Sequence, residues 1–330
     1  QLVDEYSKAQ LEFSPIQATF IGVPGYNDKF MPTISEHNRQ KQLAFVKSYL
    51  KRAQAIDASQ LSGQALLTYK IFIRDNEMAI AGNEFPFYMI PINQMSGVHN
   101  FYAQLGSGKS AQPFNNEQDY RNFMQRSKGF AAWMDSAIES MREGISQGVV
   151  QPKPIIEKVL PQLKAHLLSD ISESIFYQPL TKLPDTISED NKALLITDYS
   201  ASIRNVIIPA YQRMYDFMAN EYLDAGRDSV GVSALPNGKA WYEYLIKTHT
   251  TLDLTAEELH QFGQEEVARI LAEMTKVKEQ VNFDGDLAAF FEFLRNDDQF
   301  YFDHEADLIQ AYTDVKSNID SRLPQLLEVF

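Results

Sequence analysis

The chain has 330 residues, 44% of them hydrophobic, which is enough apolar material for one large or two ordinary globular domains. Its 44 acidic and 30 basic residues give a formal charge of -14, which disfavours nucleic acid or an anionic lipid surface as a partner. The lack of Cys excludes disulfides, thiolate zinc sites and a cysteine nucleophile, and only 15 Gly favours helices over a turn-rich β architecture.

The first half of the chain is predicted to be helical. Ser35 is a candidate N-cap for one helix, and apolar spacing predicts another over residues 61–81. Residues 85–94 are apolar but contain two prolines, so we expect them to cross the molecule as an extended or looped segment. The clearest helical periodicity covers residues 116–148 and predicts a long helix that belongs to the core.

The second half contains another long helix and the best candidate boundary. A helix is expected to start at residues 152–154, and the apolar spacing over residues 188–223 predicts a long helix that bends at Pro209. Residues 224–238 break the periodicity with three glycines and a proline. The sequence therefore predicts a helical region over 1–224, a connector over 225–238 and a second helical region over 239–330.

The last helices carry recognisable caps. Thr255 and Glu258 have the spacing of a capping box, Asp286 is a candidate N-cap for a short helix, and Asp303 is one for the next. No segment has a pattern that requires a sheet. The expected fold is all-α, a multi-helix array with long bent helices and little or no sheet.

Two short motifs imitate catalytic signatures without their context. Gly108-Lys109-Ser110 ends like a phosphate-binding loop, but Ala103 replaces the first glycine and Pro113 would block the helix that should follow. Ser146 lies in a G-x-S-x-G match at the end of a predicted helix, whereas a nucleophile elbow follows a strand. We interpret these motifs as a flexible loop and a helix end.

The residues that remain as candidates would line a cleft and are not catalytic. Tyr242 and His249 fall on one face of a predicted helix that ends near Thr250, which suits either substrate contact or packing and capping. Asn93 and Gln94 leave the proline-broken segment, where their amides suit either a ligand or the loop backbone. No two of the six histidines have H-E-x-x-H spacing, so neither catalytic residues nor metal ligands are assigned.

Several stretches together resemble the domain of unknown function 885 family. The longest is Gly238-x-x-x-Tyr242 through His249-Thr-Thr251, followed by Leu254-Thr-x-Glu-Glu-Leu-His260 and Glu266-Val-x-Arg269-Ile. Supporting stretches are Ser14-Pro with Ala18-Thr19, Gly144-x-x-x-Gly148 before Pro152, Phe176-Tyr177-Gln-Pro179, and Phe293-Leu-Arg-x-Asp297 before Phe300-Tyr-Phe302. The resemblance covers nearly the whole chain.

The resemblance implies a bacterial, exported or lipid-anchored protein with a periplasmic or cell-envelope location, whose lipid anchor would lie upstream. Family members resemble gluzincin-type zinc metallopeptidases, which are hydrolases with a two-lobed helical body around a cleft. Their H-E-x-x-P-G-H-H motif holds zinc and activates water. The chain does not contain it, and the resemblance places it downstream of Arg322-Leu-Pro324.

The leading hypothesis is an amino-terminal helical scaffold and cleft wall of a zinc-dependent metallopeptidase-like protein, without catalysis or zinc of its own. Its expected partners are a peptide substrate and the missing carboxy-terminal part of the same protein. The alternative is a self-contained helical module that binds a ligand or peptide without catalysis. The first hypothesis predicts an uncovered apolar face after Gly238, including Leu323, Leu326, Leu327, Val329 and Phe330.

Overall fold

The computed structural model describes residues 1–327, and nearly all regular structure in them is helical. The one β-type pairing among these residues is an isolated bridge between Pro152 and Arg227, so the predicted all-α fold is confirmed. The helices are α1 (Leu2–Gln10), α2 (Pro15–Phe20), α3 (Glu36–Gln54), α4 (Gly63–Gly82), α5 (Val98–Leu105), α6 (Glu117–Gln147), α7 (Lys153–Lys164), α8 (Glu189–Ser202), α9 (Ile208–Phe217), α10 (Leu223–Ala225), α11 (Gly238–Thr250), α12 (Ala256–Gln280), α13 (Leu287–Asn296) and α14 (Glu305–Arg322).

The chain divides into two compact units, Gln1–Asp253 and the residues from Leu254 onward. Helix α11 belongs to the first unit, where Trp241 is buried in a cluster with Met89, Val149 and Leu235. The connector predicted at 225–238 lies within that unit, and its role as a boundary stays a prediction. None of the helices that the structure describes is long and apolar enough to cross a lipid bilayer.

Helix α6 runs through the core of the first unit, as its apolar periodicity predicts. Its side chains Phe123, Phe130, Met134 and Met141 are fully buried against residues from α5, α7, α8 and α9. Gly148 ends the helix in the left-handed conformation at φ 71°, and its amide donates back to the Gly144 carbonyl. This glycine C-cap explains why the G-x-S-x-G match lies at a helix end.

The long helix predicted over 188–223 is interrupted by two π-helical segments, Ile203–Ile207 and Met218–Tyr222. Its buried side chains recur every four residues, a spacing that drifts around an α-helix because one turn holds 3.6 residues. A π turn holds more residues and reduces that drift, so the stripe keeps facing the core. This stripe consists of Leu195, Tyr199, Ile203, Ile207 and Tyr211.

Pro209 follows the first π-helical segment and stands at the start of α9. Because proline has no amide hydrogen, it cannot donate to the preceding turn, and the wider turn accommodates this loss. Two exposed ion pairs then join this region to α6: Arg213 binds Asp135, and Arg142 binds Glu221. Both arginines donate from two nitrogens, which fixes the geometry of each pair.

The helix caps follow the sequence closely, with two differences. The capping box of Thr255 and Glu258 and the Asp286 cap are both present. Ser35 is an N-cap, but its hydroxyl accepts from Thr33 Oγ1 at 3.2 Å and does not cap α3. The last helix begins after His304 rather than Asp303, and the His304 side chain makes no capping hydrogen bond.

The second unit contains very little core. Among its described residues 254–327, Phe290 is the one buried side chain, and it lies in a small aromatic cluster with Phe283 and Phe293. The apolar side chains of α12 and α14 are exposed instead. The predicted uncovered apolar face is confirmed for Leu326 and Leu327, whereas Leu323 is half-buried and Val329 and Phe330 lie outside the described residues.

Candidate functional site

The predicted cleft residues of α11 lie at the carboxyl end of the first unit. Tyr242 is 41% exposed, and His249 is exposed in the last turn of the helix, one residue before its end. Thr250 Oγ1 donates to the Ile246 carbonyl at 2.8 Å and accepts from the Leu252 amide at 3.1 Å. Thr250 therefore stabilises the end of the helix, and the side chains of Tyr242 and His249 face solvent.

The Asn93–Gln94 loop is organised by its own hydrogen bonds. Asn93 Oδ1 accepts from the backbone amides of Met95 and Ser96 at 2.9 and 2.8 Å, which is an Asx-type turn. The Gln94 carbonyl accepts from Gln162 Nε2 on α7 at 3.0 Å. The Asn93 amide oxygen is thus occupied by the loop backbone.

The structure does not bring the two groups of candidates together by direct contact. Among the described residues, no hydrogen bond joins Asn93 or Gln94 to Tyr242, His249 or Thr250. Their role in lining a cleft stays a prediction.

The loop lies beside a buried histidine that the sequence did not single out. His99 is fully buried, and its Nε2 lies 2.9 Å from Gln162 Oε1. Since Gln162 Nε2 donates to the Gln94 carbonyl, Oε1 must accept, so His99 carries its proton on Nε2. Nδ1 is then a buried acceptor for which the described residues supply no donor.

A second histidine, the half-buried His166, lies near the first. His166 packs on the ring of Tyr211 with centroids 4.5 Å apart, and the Tyr211 hydroxyl donates to the His99 carbonyl. Burial, with a smaller contribution from His99, lowers the pKa of His166 to about 4. Burial also lowers the pKa of His99. Both side chains are neutral at pH 7, which suits packing rather than proton transfer.

A groove of about 660 Å³ opens between α3, the end of α4, the proline-broken segment and Tyr244 of α11. Its aromatic wall comes from Phe85, Phe87, Tyr88 and Tyr244, and Phe87 is 40% exposed. We call it the aromatic groove. The density of aromatic residues in 85–88 is the one signal for this groove in the sequence, but it does not reveal which distant helices complete the groove.

The structure offers no metal site among the residues that it describes: no three His, Asp or Glu side chains are placed to hold one ion. His99 is occupied by Gln162, and His166 packs on Tyr211. His260 is exposed on α12, with Nε2 2.9 Å from Gln264 Nε2. The histidines in 1–327 therefore do not fit a zinc centre.

One comparison with known proteins gives the family of the chain, and another gives a solved structure with the same fold. The model of a family described as "Bacterial protein of unknown function (DUF885)" matches residues 15–329. No curated protein matches the chain. A crystal structure of "the putative lipoprotein from Colwellia psychrerythraea" aligns with a TM-score of 0.84 at 20% identity and covers 100% of this chain. The chain spans 60% of the length of that protein.

Proposed function

The chain belongs to the DUF885 family, and we propose that it forms the amino-terminal helical scaffold and cleft wall of a longer, zinc-dependent metallopeptidase-like protein. In this proposal the zinc and the general base come from residues that this chain does not contain. The chain alone is inactive toward peptides. A location at the cell envelope is part of the proposal and is supported by the lipoprotein description of the structural relative.

The observation that carries the scaffold role is the exposed apolar surface of the second unit. On α14 the exposed side chains Leu308, Tyr312, Val315 and Ile319 recur at steps of four, three and four residues. On α12 Val267, Ile270, Met274 and Val277 do the same at steps of three and four. This spacing is typical of helices that pack along a seam against other helices.

The apolar side chains on these seams are more exposed than a contiguous apolar stripe usually is on a monomeric protein. Tyr312 is 72% and Val315 57% exposed, although both lie on the apolar stripe of α14. Monomeric proteins rarely expose such contiguous apolar surface unless a partner covers it. The relative of known structure is longer than this chain, which supports a further part of the same protein as that partner.

Catalysis by this chain alone is not supported by its side chains. The buried His99 and the half-buried His166 have lowered pKa values, and neither has a carboxylate as a hydrogen-bond partner among the described residues. A metal-activated water needs three protein ligands and an open position. The described residues supply no such set, so no reaction step is assigned to them.

The direct test compares the 330-residue chain with a longer form of the protein. We expect the purified chain to bind no stoichiometric zinc and to leave a mixed peptide library uncut, by metal analysis and mass spectrometry. A longer form containing H-E-x-x-H should bind one zinc and cleave peptides, and replacing its glutamate by glutamine should abolish cleavage. Peptide hydrolysis by the 330-residue chain, or zinc held by three of its own side chains, would overturn the proposal.

The alternative, a self-contained binding module, predicts a different result from the same preparations. Such a module would stay monomeric and would not bind a separately produced carboxy-terminal part. The exposed seams on α12 and α14 favour the scaffold over this alternative, because a self-contained module would bury them.

A further inference from the structure

The aromatic groove contains an arginine that has no anionic partner. The Arg39 guanidinium stacks on the ring of Tyr88, 3.5 Å from the centroid, and Nη1 donates to the Ile34 carbonyl at 2.6 Å. Among residues 1–327, Arg39 forms no ion pair with a carboxylate. Its remaining N–H donors are therefore available at the edge of the groove.

Two carboxylates, Glu36 and Glu143, lie near the Tyr88 ring under Arg39, and among residues 1–327 neither forms an ion pair with that arginine. Glu143 Oε1 accepts from the Tyr88 hydroxyl at 3.1 Å and from Gln147 Nε2 at 3.0 Å. Glu143 therefore holds the Tyr88 ring in place beneath the guanidinium and is not paired with Arg39. Stacking on an aromatic face fixes the plane of an arginine, which prepares it for a bidentate carboxylate.

The rest of the groove combines apolar side chains with a comparable share of polar surface. Phe87 presents its ring to solvent, and its other side packs edge-to-face on the buried Trp241 with centroids 4.9 Å apart. Leu43 and Val46 of α3 and the amides of Gln42 and Asn83 also line the groove. A fixed cation, an apolar wall and amide groups are complementary to a small molecule with an apolar group next to a carboxylate.

We propose that the aromatic groove binds an apolar carboxylate, such as the carboxyl-terminal residue of a peptide with an aromatic or branched side chain. Arg39 binds the carboxylate, the ring of Phe87 contacts the side chain, and the amides of Gln42 and Asn83 bond to the peptide group. All of these residues belong to the first unit. The proposal is therefore independent of the missing part and of zinc.

The test uses two probes that differ only in the terminal group, a carboxylate in one and a neutral amide in the other. The 330-residue chain is titrated with N-acetylphenylalanine and with N-acetylphenylalaninamide, and binding is followed by ligand-observed NMR. We expect the acid to bind with a millimolar or lower Kd and at least fivefold more tightly than the amide. Equal binding of the two probes, or no binding of either, would overturn the proposal.

Matched variants show whether Arg39 is responsible. Arg39→Gln should remove the preference for the acid while leaving the weak binding of the amide unchanged. Lys47→Gln removes one positive charge from the exposed side of the same helix, outside the groove, and should keep the preference. Thermal unfolding and circular dichroism establish that both variants are folded. A preference that persists in Arg39→Gln would exclude the assigned role.

If peptide carboxyl termini are the natural ligands, N-acetylglycylphenylalanine should bind at least as tightly as N-acetylphenylalanine, because it adds a second peptide group for the amides of Gln42 and Asn83. A fatty acid such as octanoate provides the same charge without that group. Tighter binding of octanoate than of either phenylalanine probe would contradict the peptide assignment. These results do not depend on peptidase activity, so a failure here leaves the scaffold proposal untouched.

Discussion

Arg126 is a fully buried cation whose four hydrogen-bond acceptors are all neutral. It donates to the carbonyls of Lys29 and Tyr26 and to the side chains of Gln112 and Thr19, and so ties α6 to the segment that follows α2. Burial lowers the pKa of the guanidinium to about 10, which leaves it charged at neutral pH. A buried charge without hydrogen bonds would be very costly, so all four contacts are needed together.

We therefore expect Arg126→Lys to destabilise the protein by about 3 kcal/mol, because a single ammonium cannot reach four separated acceptors. Arg121→Lys is the matched control on the same helix, where the exposed pair with Glu117 contributes only about 0.5 kcal/mol. Urea unfolding measures both variants. Equal effects of the two substitutions would mean that the buried contacts contribute little.

The half-buried His166 and the buried His99 predict how stability depends on pH. Below about pH 6.5 the unfolded chain protonates His166, whereas the folded protein resists protonation until about pH 4. The unfolded state then binds more protons, so stability falls as the pH drops through this window, by on the order of 2 kcal/mol. His99 acts in the same direction, since its pKa is also lowered by burial.

His166→Phe keeps a ring against Tyr211 but cannot titrate, so its loss of stability between pH 6.5 and pH 4 should be smaller than that of the wild type. His37→Gln, at an exposed position, should leave the wild-type pH dependence intact. Thermal unfolding across this range measures both. An unchanged slope in His166→Phe would show that other groups cause the pH dependence.

At the level of single residues, the sequence predicts local roles better than distant ones. Thr255 and Asp286 are N-caps that accept a hydrogen bond from the backbone amide three residues later, so their roles follow from spacing alone. The partners of Arg126 lie 14 to 107 residues away, and no local pattern identifies them. One local signal for the burial of Arg126 was present, because this residue lies between Phe123 and Phe130 on the apolar face of α6.

Helix α11 packs on α4 through a close approach between Tyr244 and Gly82. The Tyr244 hydroxyl donates to the Met78 carbonyl at 3.0 Å, and a Cβ at residue 82 would overlap that hydroxyl. Glycine is required here for space and not for its backbone conformation. The contact also fixes Tyr244 as a wall of the aromatic groove.

Gly82→Ala should therefore destabilise the protein by about 1 to 3 kcal/mol, although alanine is the better helix former. Gly263→Ala on α12, where a Cβ would meet no atom within 4 Å, should stabilise its helix by up to about 1 kcal/mol. Combining Gly82→Ala with Tyr244→Phe should recover part of the loss, because the nearest overlapping atom is removed. Thermal unfolding that gives both glycine variants the same sign would contradict this packing.

The elements themselves were predictable where periodicity is strong. Helix α6 and the two caps of the second unit agree with the sequence, because burial on one face and capping are local properties. The aromatic groove was not predictable, since its walls come from α3, α4, residues 85–91 and α11. Only the tertiary packing of these elements brings Arg39 and Phe87 to one surface.

At the scale of the whole molecule, the seam of α14 is exposed in this chain and would be buried in the longer protein that we propose. Val315→Ser should change the stability of the 330-residue chain by no more than about 0.5 kcal/mol, because the side chain is already exposed. In the longer protein the same substitution should cost about 1.5 kcal/mol or more, since the valine would be buried. Val230→Ser, at a position 75% exposed in the first unit, is the control.

Urea unfolding of the 330-residue chain and of the longer protein measures how much Val315→Ser changes the stability of each. Equal, small effects of Val315→Ser in the two forms would show that the longer protein does not cover this seam. The family resemblance and the apolar ends of the last helices predicted the uncovered face from the sequence. The sequence did not predict which surface covers this face, because helix seams specify the kind of partner but not its identity.

The two π-helical segments between α8 and α10 give this helix a place where its length can change without turning the side chains that follow. A π turn holds about one residue more than an α turn, so deleting one residue from Ile203–Ile207 should convert that segment to an ordinary α-helix. The downstream face, and with it the pairing of Arg213 with Asp135, should then stay in place.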